Sequence, residues 1–119
     1  MNTKRILNMS YKCIQLRGQD ASSIKTEIMY EIATARVGGA ELLRVNVCHD
    51  DDAYRAKLMS ALHKILKAMK GDGKIQLFAT EASFEQHSME AEFLLNKYPD
   101  LQDEDEQMDG ACDYVYVKI

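Results

Sequence analysis

Two apolar periodicities take turns along this chain, and their alternation restricts the folds open to it more than any other feature. From Tyr11 to Arg17, Ile14 and Leu16 fall on one side and Cys13 and Gln15 on the other, a period of two that stops at Gly18 and predicts a short strand. Ile24, Ile28, Ile32 and Ala35 then recur at helical spacing, with Ser22 or Ser23 placed to cap the segment and Gly38-Gly39 to end it. Leu43, Val45 and Val47 alternate with Leu42, Arg44, Asn46 and Cys48, which predicts a second strand, apolar on one face and mixed on the other. After His49-Asp50-Asp51-Asp52, the stripe Tyr54, Leu58, Ala61, Leu62, Ile65 and Met69 marks a second helix that Gly71-Asp72-Gly73 ends. A third strand is expected over Lys74 to Thr80. Ser83-Phe84-Glu85-Gln86 has a capping-box pattern, opening a third helix with Phe84, Ala91, Leu94 and Leu95 that halts before Pro99. Tyr114 to Ile119 alternates as a terminal strand.

The predicted order is therefore βαβαβαβ. It implies an α/β sandwich of two or three layers around a four-stranded mixed sheet, mostly parallel, with right-handed crossovers. With 119 residues, the expectation is a single domain over 1–119. Some fifteen large apolar side chains, each worth roughly 1.5–3 kcal/mol when buried, suffice for a core without a metal or disulfide staple.

Composition excludes several classes. At 46% apolar and 29% charged residues with one proline, the chain is neither disordered nor fibrous. No apolar run is long enough for a membrane span, and the first residues lack the pattern of a secretory signal, so a cytoplasmic protein with no membrane partner is expected. Cys13, Cys48 and Cys112 are odd in number and lack CxxC spacing, which favours buried thiols over a disulfide framework or a zinc site. The net charge of −4 is unevenly spread: Asp100, Asp103, Glu104, Asp105, Glu106 and Asp109 take six of the nineteen acids, leaving thirteen against fifteen bases elsewhere. This acidic stretch, about 100–111, is expected to be a solvated loop, or else a cover for a basic surface or a lure for a basic protein partner. The remainder shows no dedicated basic patch of the nucleic-acid-binding kind.

A few residues suggest a family. Ile14-Gln15-Leu16-Arg17-Gly18 resembles the strand ending in Leu-Asp-Leu-His-Gly of the small MutS-related, or Smr, domain. The run from Gly38 to His49 follows that family's next helix end and strand, and His49 falls on the histidine of its His-Gly-x-Gly loop. Arg17 stands where the family has histidine and Gln15 where it has aspartate, and Asp50, Asp51 and Asp52 replace the glycine-rich turn. The resemblance spans most of 11–119, with the segment from Phe84 to Tyr98 and the acidic loop as an insertion. It implies a fold like the C-terminal domain of translation initiation factor three and association with DNA or RNA, with nuclease activity impaired by the altered positions.

The residues themselves allow several chemistries. His49 as a general base, with Arg17 steadying developing phosphoryl charge, is the candidate catalytic pair. Arg17, Gly18, Lys12 and Arg44 are the candidate nucleic-acid contacts, with Lys4, Arg5 and Tyr11 adding to a basic first segment; an ordinary solvated edge is the alternative. Asp20, His49, Asp50 and Asp52 could hold a divalent cation, the only cofactor implied, and with it a metal-dependent phosphoesterase. Alternatively, Asp50 to Asp52 simply cap the second helix and favour its dipole. Tyr114 and Tyr116 share one face of the last strand, to stack on bases if exposed or to pack beneath a helix. A protein-interaction or regulatory domain, using the terminal strand or the acidic loop, is the competing function.

Overall fold

A computed structural model describes residues 11–99, 101 and 111–119. Four strands, β1 (Tyr11–Gln15), β2 (Leu42–Cys48), β3 (Leu77–Thr80) and β4 (Cys112–Lys118), form one mixed sheet in the order β1-β2-β4-β3. Among the described residues four helices accompany them: α1 (Ala21–Val37), α2 (Asp52–Gly71), α3 (Glu81–Glu85) and α4 (Met89–Lys97). Along the chain the elements run β1-α1-β2-α2-β3-α3-α4-β4.

The expectation of a mostly parallel sheet needs correction, since only β1 and β2 pair in parallel, Tyr11 facing Leu42 through Gln15 facing Asn46. β4 lies between β2 and β3 and runs antiparallel to both, with Leu42 opposite Lys118 and Cys48 opposite Cys112, and with Leu77 also opposite Lys118. The terminal strand is therefore interior to the sheet and its backbone edges are already paired, so it offers no edge to a partner. Among the described residues β1 and β3 are the outer strands.

Period-two patterning gives the sheet two apolar faces. Ile14, Val45, Val47, Val115 and Val117 pack with Ile24, Ile28 and Ile32 of α1 and with Leu58, Leu62, Leu66 and Met69 of α2. A second cluster, Leu42, Ala79 and Tyr116 under Leu94, Tyr98 and Leu101, fills the other side, with Phe84 and Leu95 against it. Tyr116 thus packs beneath helices, its ring edge-on to Phe84 at 5.7 Å. Every residue from Leu42 to Val47 is buried, including Arg44 and Asn46 on the face expected to be mixed. These two hydrogen-bond to one another, Arg44 Nε donating to Asn46 Oδ1 at 3.0 Å, while Arg44 Nη1 donates to Tyr116 Oη at 2.8 Å and the guanidinium stacks 4.3 Å over the Tyr114 ring.

Three local expectations are also corrected. Asp20, not Ser22 or Ser23, caps α1, because its carboxylate reaches the Ser23 amide. The predicted third helix is two helices: Thr80 and Ser83 form the capping box of α3, the chain breaks at His87 with φ 54°, and Ser88 caps α4. Cys48 and Cys112 are joined in a disulfide and only Cys13 is a free thiol, and that one exposed, so the expected set of buried thiols is overturned. The cause is the β2–β4 register, which sets the two cysteines directly opposite each other. The acidic stretch, apart from Leu101 and Ala111, and the basic residues Lys4 and Arg5 lie outside the described residues. Among the described residues, no helix is long and apolar enough to cross a membrane.

Candidate functional site

The parallel pair β1 and β2 ends on one side of the sheet, and the loops that leave it carry Arg17 and His49. The pairing continues one step past β1 through the Leu16 amide on the Asn46 carbonyl, so the two loops start side by side. Tyr54 of α2 ties them together. Its hydroxyl donates to the carbonyl and the side-chain oxygen of Gln19 at 3.0 and 2.8 Å, and its ring lies 4.5 Å from the His49 ring.

Beyond β1 the chain turns into α1 with two amides pointing the same way. The Arg17 and Gly18 N–H groups both donate to the Glu27 carboxylate, at 3.0 and 2.8 Å. An anion is thus already seated on this backbone pair, and it belongs to the protein. The Arg17 side chain is exposed and forms no ion pair among the described residues. Asp20 closes the turn as the α1 cap, and the hydrogen bonds from Ser23, backbone first and side chain second, hold its carboxyl below the usual carboxylate range.

Past β2, His49 Nδ1 accepts from the Asp51 amide at 3.0 Å, which leaves the neutral ring with its proton on Nε2. In that tautomer the outward nitrogen donates. Asp51 caps α2 by accepting from the Tyr54 amide at 3.1 Å, Asp52 binds Arg55 Nη2 at 2.8 Å, and Asp50 is exposed. Both helix N-termini at this end are therefore met by internal carboxylates, as the dipole and the unpaired first-turn amides require. Among the described residues no group of three or more His, Cys, Asp and Glu side chains is arranged to hold a metal ion, so Asp20, His49, Asp50 and Asp52 are not gathered into one.

Of the remaining candidates, Lys12 pairs with Glu31 at 3.3 Å, and Arg44 is buried within the sheet face described above, where it works as an internal brace. Gly18 lies in the β1–α1 loop, packed against the first turn of α1 at Ile24.

Arg55 was not singled out by the sequence, yet it holds this end of the molecule together. Its Nε binds Asp113 of β4 at 3.0 Å, its Nη1 the His49 carbonyl at 2.7 Å, and its Nη2 Asp52, so both carboxylates push its already high pKa further up. The Asp52–Arg55 spacing is a legible helix-surface pair. The Asp113 contact depends on β4 lying beside β2, and Glu27 on the crossing of α1 over β1, and neither is written in local spacing. No protein-family model matches the chain, and neither a curated protein nor a solved structure does.

Proposed function

We propose that this chain is a protein-interaction or regulatory domain on a Smr-like scaffold, one without efficient nuclease activity and without phosphate capture at its strand ends. The observation that carries the reading is the Glu27 carboxylate on the Arg17 and Gly18 amides. A phosphate arriving there would have to displace a tethered anion, and one approaching the α2 N-terminus would meet the Asp51 cap and the exposed Asp50. At about 4 Å and an effective dielectric near 20, each like-charge contact costs roughly 4 kcal/mol, more than a helix terminus returns. The His49 proton on Nε2 also suits a hydrogen-bond donor better than a general base.

The exposed Arg17 guanidinium favours a second reading, a nucleic-acid-associated domain that touches DNA or RNA by that side chain. Fluorescence anisotropy with labelled single-stranded DNA, duplex DNA and RNA separates the two. At about 150 mM salt the expected affinity is weaker than roughly 100 µM, the weak end of non-specific binding. Micromolar affinity that falls steeply with salt, and that is lost in Arg17→Gln, would overturn the proposal and establish the second reading.

A further inference from the structure

Between α1 and α2, on the outer side of the helix pair, lies a groove of about 310 Å³ lined by Lys25, Met29, Lys64, Ile65, Ala68, Met69, Asp72 and Lys74. Helical spacing puts them there: Lys25 and Met29 are one turn apart on α1, Lys64 and Ala68 are one turn apart on α2 with its C-cap Asp72 a turn further on, and Ile65 and Met69 run beside them. Lys74 is held in place by its backbone, its amide donating to the Met69 carbonyl at 2.9 Å and its carbonyl accepting from the Arg36 guanidinium.

We infer that this groove binds a small organic anion with an apolar body, a carboxylate of medium chain length. Two properties of the lining argue for that occupant. The floor is apolar and adaptable, with Met29 left 41% exposed and Met69 at the base, and thioether side chains mould themselves to irregular apolar ligands. The rim is cationic: three ammonium groups stand against the single carboxylate of Asp72 on a chain whose net charge is −4, and none of the three lysines forms an ion pair among the described residues. An apolar trough bordered by unneutralised cations complements a molecule with one hydrophobic and one anionic part. The volume lies at the small end for ligand sites, which suits a metabolite-sized molecule. The site is separate from the loops that carry Arg17 and His49, so it stands or falls independently of the function proposed above.

Calorimetric titration of the full chain with decanoate, decanol and decyltrimethylammonium tests the inference. Decanoate is expected to bind saturably at one site, decanol about tenfold more weakly, and the cation not at all. Lys64→Gln with Lys74→Gln should weaken decanoate by about tenfold and leave decanol unchanged. Ala68 is exposed, so Ala68→Glu blocks the groove without entering the core and should abolish decanoate binding while thermal unfolding stays as in the parent. The inference is overturned if decanoate shows no saturable binding at millimolar concentration, if decanol binds as well as decanoate does, or if Ala68→Glu, folded as the parent is, binds it undiminished.

Discussion

Tyr98 shows how burial rewrites the chemistry of one side chain. It is buried beside Leu94 and Leu101, and its hydroxyl donates to Glu41 Oε1 at 3.0 Å. Burial first, and then the Glu41 hydrogen bond and charge, push the phenol well above its ordinary value of 10.0. The folded state therefore favours the neutral phenol, and the stability this contributes is whole below pH 10 and is lost as pH rises past the unfolded value toward the folded one. Alkaline titration followed by tyrosinate absorbance should show a delayed component that appears only with unfolding. In Tyr98→Phe that component should vanish, and stability should fall less steeply above pH 10. At this scale the sequence was legible in residue type but not in role. Gly18 was visible as the end of a strand, whereas the reason for it, that an added methyl would sit 2.9 Å from the Ile24 amide nitrogen, exists only once α1 folds back over β1. Glu27 gave no local sign that its carboxylate would fill the amides of Arg17 and Gly18, two of the candidate nucleic-acid contacts.

Elements were more readable than their ends. The stripe Ile24, Ile28, Ile32 and Ala35 is the buried stripe of α1, and Leu58, Leu62 and Met69 belong to that of α2, because a 3.6-residue period over many turns outweighs local noise. Caps depend instead on which side chain reaches an amide, so neighbouring candidates compete: Asp20 prevailed over Ser22 and Ser23, and the break at His87 divided one predicted helix into two. The three consecutive aspartates before α2 make the same point experimentally. Only Asp51 accepts from a first-turn amide, so Asp51→Ala should cost about 1 kcal/mol in chemical denaturation, within the usual range for a lost N-cap. Asp50→Ala should leave the midpoint unchanged. Equal effects at both positions would show that the run acts through its summed charge on the helix dipole and not through a cap.

Across the whole molecule, what was least legible was the pairing of distant strands. Alternation of strands and helices indicated an α/β sheet, and a parallel β1–β2 pair with Arg17 and His49 at neighbouring ends followed from it. Insertion of β4 between β2 and β3 did not follow, and the disulfide went unforeseen with it, since only that register brings Cys48 and Cys112 together across 64 residues of sequence. A crosslink closing so long a loop restrains the unfolded chain, so reduction or Cys112→Ser should lower unfolding stability by about 2–4 kcal/mol, measured with and without reductant. No difference between the two forms would mean that the sheet holds this register unaided. The same topology orders events during synthesis. Until β4 has left the ribosome, the flank of β2 and the flank of β3 that it will pair are both bare, so a nascent chain stalled before Cys112 leaves unsatisfied the two backbone edges that β4 joins. Such a chain depends on being shielded until the keystone arrives.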